Sequence, residues 1–451
     1  MKKLGSYYFV FLAGITFSLA QSDSKVAKLN YQDSLRVVLE NTRNADAMAV
    51  GAAIGSVWNG LGMEMQSVIK GQLKMMKEKG YKLRPHFVNY LGAIVNAINR
   101  ESIDPVKLSN YINVAGQVIE NEDITKAALF FNNSRDFFEH HALHYEKSFR
   151  LYALDDEYLF DYIKTETFSD LPDLADTVTQ ENQFDQWDHP STESTIWEEP
   201  PVDTTTQSSG VSLLLPPEPQ PVLSGPIIIF EKITLNFSTP YDSTFLRNTK
   251  GSVSLVDNTF VGEGGTFDWS TAGLGADSVY FEFDAYNFNV RKPQVKVDHG
   301  KLTYIGKVSE KVDGIFEYKS IKHKNPSSSN YPRFMSLRSN IEMLGLSDDN
   351  MKYTGGFALN GKRIYSSSVD QEFATLVIQN ETEKKFEARS RLFEFQDSTI
   401  QSKHAQVKIF QEYDSISHPT AELIYDYGKK RLVIQKEKGQ MKDAPFTSSF
   451  F

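Results

Sequence analysis

The sequence predicts an α+β chain of several domains: an N-terminal helical bundle, an acidic Pro-rich linker and a C-terminal all-β body. Three observations carry that prediction. From Lys384 to Lys436, apolar residues such as Phe386, Ala388, Ile400, Val407, Ile409, Leu423 and Val433 recur mostly at every second position. That is the period of a pleated strand with one dry face. From Ser34 to about Tyr162 the apolar residues instead fall three and four apart, as on amphipathic helices. Between the two regions, Thr165 to Glu231 holds no lysine or arginine. With 451 residues, the chain exceeds a single ordinary domain of roughly 100–200 residues, so two or three are expected.

Residues 1–20 read as a secretory signal peptide. Lys2 and Lys3 precede the apolar run Tyr7–Leu19, and Ser18-Leu19-Ala20 forms a small-x-small cleavage site before Gln21. The run is shorter than the roughly 18–20 residues of a bilayer span, so no transmembrane span is expected in the mature chain. Cysteine is absent. This excludes disulfides, thiolate metal sites and a cysteine nucleophile, leaving packing to hold the exported chain together. The expected location is the periplasm, the outer-membrane periphery or the extracellular space. A net charge of -10 and a pI near 5.5 argue against nucleic acid as a partner, which needs Lys and Arg concentrated against phosphates.

A helical bundle is expected over residues 30–164. Met48, Ile54, Val57, Trp58, Leu61, Met65, Val68, Ile69, Leu73 and Met76 form one stripe on a long helix that Gly80 should stop. Gly51, Gly55, Gly62 and Gly71 each cost about 1 kcal/mol in a helix interior. They therefore predict either a close backbone approach or a break near Asn59-Gly60. Pro85 can open another helix. Asp104-Pro105 predicts a capped helix start, and Asp123 and Ser134 are read as two further caps. The last helix is expected to run through FFEHHALHYEKSF, placing Asp136, His140 and His144 on one stripe with Glu139 and His141 alongside. Two imidazoles and a carboxylate so spaced are a candidate zinc set. The spacing lacks the His-Glu-x-x-His pattern of a hydrolytic zinc helix, however. A half-exposed helix face is the preferred reading, and no metal and no cofactor are expected.

Residues 165–225 are expected to be an extended linker, since acidic self-repulsion and the prolines from Pro190 to Pro221 both oppose a core. Trp187 and Trp197 stand out within it, either as docking anchors or as loosely packed surface rings.

Residues 226–451 are expected to be all-β. Turn signals recur through this half, among them Asp257-Asn258, Gly264-Gly265, Asp298-His299-Gly300, Gly355-Gly356, Asn360-Gly361 and Asp397-Ser398. The choice is between a β-sandwich and a β-solenoid or open jelly roll. The units GKLTYIGKV, DGIFEYKS, GGFALNGKRIYS and ARSRLFEFQDSTIQSKHAQVKIF each read as strand, tight turn and strand. Stacked, they would build a trough lined by apolar side chains.

The alternation in RSRLFEFQDSTIQSKHAQVKIFQEYDSI resembles the OstA/LptA-like β-jelly-roll repeats of bacterial envelope proteins, over about Lys301 to Lys436. The resemblance implies an open-ended stack of β layers that shields acyl chains or bridges envelope compartments, without catalysis. A helical head followed by a β-rich body is also similar to large secreted proteins of Bacteroidetes-type bacteria, in which case the chain would be the front of a longer one. A terminal Phe451 is what outer-membrane barrels offer their insertion machinery. Ser449, Thr447, Pro445 and Asp443 occupy the alternate positions that such a signal keeps apolar.

Two functions compete. The first is a non-catalytic cell-envelope or secreted protein whose β body binds an elongated amphiphilic ligand or a partner protein. The second is a secreted β-sandwich that binds or hydrolyses carbohydrate. Its best residues are Asp257, Glu263, Asp268 and Trp269, because glycosidases need two carboxylates and an aromatic platform for the sugar. No Gly-x-Ser-x-Gly elbow and no phosphate-cradling glycine loop occurs. The first reading is preferred, and no catalytic residues are expected.

Overall fold

The structure, a computed structural model, describes residues 30–155, 157–164, 219–322, 329–346, 350–380, 383–412, 414–426, 428–435 and 447–448. The expected leader at 1–20 and both Trp187 and Trp197 lie outside the described residues. Among the described residues, the protein has an N-terminal helical region of six α-helices and a C-terminal body of mostly antiparallel sheet that is not closed into a barrel. The chain divides into two compact units, one ending at Gly60 and one beginning at Leu61.

The first unit holds α1 (Tyr31–Glu40) and α2 (Ala45–Val57), followed by a 3-10 turn at Trp58–Gly60. Asn30 and Asn44 cap the two helices, their side chains accepting from the backbone N–H of Asp33 and Ala47. At Gly51 a Cβ would sit 3.1 Å from that of Leu39, so this glycine does allow a close helix approach. Gly55 faces open space instead.

The second unit opens with α3 (Met63–Glu78), α4 (Val88–Asn99), α5 (Pro105–Asn121) and α6 (Ile124–His140). The stripe read as one long helix is therefore interrupted, with the break falling at Trp58–Gly60 and Gly62 serving as the N-cap residue of α3. Gly80 ends α3 with φ of +80°, a conformation that glycine adopts without steric cost. Asp104 accepts from the Val106 N–H in front of Pro105, and Asp123 accepts from Thr125 and Lys126. Ser134 caps nothing. It is fully buried in the middle of α6, because the expected pair of helices is one continuous helix. That helix ends at His140, and His141 takes the left-handed conformation (φ 52°).

The chain then turns to strands earlier than the sequence predicts. The hairpin of β1 (Ala142–Tyr145) and β2 (Arg150–Ala153) and the strand β3 (Leu159–Ile163) all lie before the acidic stretch. All three belong to the sheet of the β body. β4 (Gly225–Ser238) pairs with β2 through its second half and with β3 through its first. The acidic stretch, residues 165–218, lies outside the described residues, and the strands on either side of it are hydrogen-bonded neighbours.

From β4 onward the sheet is an antiparallel meander of strands that turn corners. β5 (Ser243–Ser254) runs along the whole of β4. Its two halves pair with β6 (Thr259–Glu263) and β7 (Thr266–Asp268), which flank a corner at Gly264-Gly265, both at positive φ. β8 (Val279–Phe283) continues on β7, and β9 (Ala285–Asn289) on β6. The same division recurs with β10 (Gln294–Val297) and β11 (Gly300–Tyr304), both paired to β12 (Val312–Lys319). β13 (Arg333–Ser336), β14 (Ile341–Glu342), β15 (Met351–Gly355), β16 (Ala358–Asn360), β17 (Arg363–Tyr365), β18 (Ala374–Gln379), β19 (Lys384–Ser390) and β20 (Glu394–Phe395) extend the meander. The long β21 (Thr399–Gln411) spans both legs, pairing with β19 and β20, and bends at a bulge between Ser402 and Val407. β22 (Asp414–Asp426) follows it, and β23 (Arg431–Gln435) and β24 (Thr447–Ser448) both pair with β22.

Each corner turns the inward face of one leg toward that of the other, so the sheet doubles into two facing layers. Rings fill the space between them. Phe237 meets Phe288 at 5.5 Å, Phe267 meets Tyr318 at 4.9 Å, and Phe281 stacks on Phe316 at 4.9 Å. Offset and edge-to-face pairs at these separations add to the burial of apolar area. Between these first layers the inside is a filled aromatic core. α5 and α6 pack on β1, β3 and β4, where Tyr111, Phe130, Phe137, Phe138, Tyr158, Phe160 and Phe230 are all buried.

Two of the four proposed repeat units are strand-turn-strand. Just before β16 and again just before β20, a buried Phe (Phe357, Phe393) donates its N–H to the hydroxyl of a buried serine, Ser336 at the end of β13 and Ser366 just after β17. The serine N–H returns a bond to the Phe carbonyl in both cases. Leu359, Ile364 and Ser366 of the first unit recur as Phe395, Ile400 and Ser402 at the same internal spacing. GKLTYIGKV and DGIFEYKS instead supply one strand each, β11 and β12.

Candidate ligand-binding groove

The outer face of the first strands carries a groove of about 480 Å³. Its floor follows from the ladder registers. Ile229 of β4 is level with Leu159 of β3, then with Ser252, Val261 and Asn287 of β5, β6 and β9. One step along, Lys250, Glu263 and Ala285 are level. The first row is mainly apolar, and Leu159 and Ile163 beside it are both exposed. At the charged end Lys250 pairs with Glu263 at 3.0 Å, and Glu231 completes the lining.

The opposite wall is Gln220, Pro221 and Leu223, which lie just before β4 and fold back over its outer face. The Asn287 side-chain N–H donates to the Gln220 Oε1 at 3.2 Å. The arrangement is a concave apolar surface with a polar edge, in the size range of pockets that take small ligands.

Apart from Glu263, the residues singled out from sequence are placed elsewhere. Because α6 stops at His140, His144 lies in β1 and does not share a stripe with Asp136 and His140. His140 stacks on Tyr145 with ring centroids 3.7 Å apart, and its Nε2 is 3.9 Å from Glu139. His144 leans on Phe149. Burial lowers the pKa of both imidazoles. Burial raises the Asp136 carboxyl to about 6, with Arg135 opposing and Glu139 adding to the effect. His141 instead pairs with Glu101, which also accepts from the Tyr158 hydroxyl. Among the described residues, no group of three or more His, Asp or Glu side chains is placed to hold a metal ion.

The carbohydrate set fares no better. Trp269 is 0 % exposed and lies edge-on to Phe316, so its ring offers no face to a sugar. Asp268 accepts from Ser270 and pairs with Arg247. Burial pushes its carboxyl up, but these partners outweigh that and hold it below the usual range. Asp257 accepts from the Ser254 hydroxyl in a turn. Only Glu263 belongs to the groove, as the partner of Lys250.

The periodic pattern did not single out Ile229, Val261, Gln220 or Asn287, which come from four separated segments. One signal was present. Ile227-Ile228-Ile229-Phe230 is a continuous apolar run rather than an alternating one, the mark of a strand covered on both faces. No protein-family model, no curated protein and no solved structure matches the chain. Among the described residues no helix is long and apolar enough to cross a membrane.

Proposed function

We propose that this is a non-catalytic cell-envelope or secreted protein whose β body holds an elongated amphiphilic ligand in the outer groove. The groove itself carries the reading. An apolar tail would lie along Ile229, Val261, Pro221 and Leu223, with a polar head toward Lys250, Glu231 and Glu263. The corner-turning meander, not closed into a barrel among the described residues, accords with the layered stack that the OstA/LptA-like resemblance implies. The proposed ligand position is the outer groove, because rings occupy the space between the first layers. Export of the chain, read from residues 1–20, belongs to the same proposal.

The carbohydrate alternative lacks support in the side chains named for it, since Trp269 is buried and Asp268 is neutralised by Arg247. The test is native mass spectrometry of the full chain purified without detergent, beside Ile229→Asp and Val261→Asp. A co-purifying amphiphile that both variants lose supports the proposal. Ligand-free protein, or a ligand retained by both variants, overturns it.

A further inference from the structure

The wall formed by residues 219–224 differs from the rest of the groove in how it is held. The floor is locked into the ladders of β4, β5, β6 and β9. Among the described residues, no backbone hydrogen bond joins 219–224 to that sheet. The segment is fastened by the Asn287–Gln220 side-chain bond, and Pro221 and Leu223 line the groove opposite the apolar floor. Val222, at the middle, points outward and is 93 % exposed. The Asn287 side of the latch is itself exposed. A segment with few buried contacts and one polar fastening opens locally at far lower cost than the sheet beneath it.

We infer that residues 219–224 are a strap that swings off the groove to admit and release the ligand, with the Asn287–Gln220 bond as its latch. The inference rests on the groove being the ligand site and adds how that site is regulated. Opening at the strap exposes the whole length of the Ile229–Val261 row at once. Closing returns Pro221 and Leu223 to the floor and excludes water from the apolar tail. The latch should therefore set residence time more than affinity.

The absence of cysteine makes the test clean. The probe is 1-anilinonaphthalene-8-sulfonate, an amphiphile whose fluorescence reports an apolar environment, with the full chain and stopped-flow displacement. Ile229→Asp should abolish the groove-bound signal; if it does not, the groove is not the site, and both readings fall. With the site so established, Asn287→Ala should release the probe about 3- to 10-fold faster, the range for loss of a bond near 1 kcal/mol. A Gln220→Cys/Asn287→Cys pair joined by a short bis-maleimide should slow both uptake and release at least tenfold, leaving equilibrium binding within a few-fold. Unchanged exchange in the joined form, while Ile229→Asp still abolishes binding, overturns the strap and leaves the groove standing.

Discussion

Ile163 and Gly225 are register partners on the ladder between β3 and β4, although the entire acidic, proline-rich stretch lies between them in sequence. The two ends of that stretch therefore meet across one inter-strand spacing. Its composition is that of a linker, yet it joins two strands of one sheet. A closed loop of this kind costs chain entropy that rises only slowly with length.

Replacing residues 165–218 by a four-residue Gly/Ser turn should leave the body folded. Shortening the loop should raise stability by about 1–2 kcal/mol, since each halving of length is worth roughly 0.6 kcal/mol. Urea unfolding followed by circular dichroism measures this. A fall of several kcal/mol would mean that the stretch contributes contacts to the fold.

Trp269→Ala should cost about 3–5 kcal/mol through the cavity left beside Phe316. The variant should lose stability in urea while the Ile229–Val261 groove, on the other side of the sheet, keeps its affinity for the amphiphilic probe measured below the unfolding midpoint. A glycan-binding platform would show the reverse, a stable protein with lost binding.

Gly300→Ala should destabilise by about 1–3 kcal/mol. A Cβ there would come within 2.3 Å of the Phe281 ring and 2.5 Å of the Glu282 carbonyl. The ring of one strand covers the glycine of the next, so even a methyl group displaces the aromatic core. Thermal unfolding monitored by near-ultraviolet dichroism should show a lower midpoint, with Phe281→Leu partly restoring it in the double variant.

Two groups at the end of α6 give opposing pH effects. The Asp136 carboxyl, raised to about 6, binds a proton in the folded protein at a pH where the unfolded chain has released it. Its contribution favours the fold at low pH and is lost as pH rises from about 4 to 6. His140 is lowered by burial, so its contribution is present above the unfolded value near 6.5 and is lost as pH falls below it. Asp136→Asn should therefore raise the melting temperature at pH 7 and have little effect at pH 4. His140→Gln should do the opposite, helping at pH 5 more than at pH 7. Scanning calorimetry at the three pH values checks both signs.

Local patterning was legible wherever one element decides its own form. Asp104-Pro105 and Asp123 start helices because a carboxylate beside free N–H groups satisfies them whatever lies beyond. GGFALNGKRIYS and RLFEFQDSTIQS form hairpins because their turns demand it. Ser134 was misread for a related reason, since serine satisfies a helix start or packs inside a helix equally well, and only the neighbours choose. His144 left the expected stripe because His141 ends the helix in a left-handed conformation that a helical period does not reveal.

By itself, the amino-acid sequence determined the α+β class, the absence of disulfides, and the strand and helix periods, all set by residue chemistry and short-range sterics. The tertiary structure alone decided that β3 and β4 pair across the acidic stretch, that rings from separated strands fill the space between the layers, and that Ile229, Val261 and Gln220 converge on one groove. These depend on which strands lie side by side. That choice arises from the summed burial of many distant side chains, which no single segment carries in its own pattern.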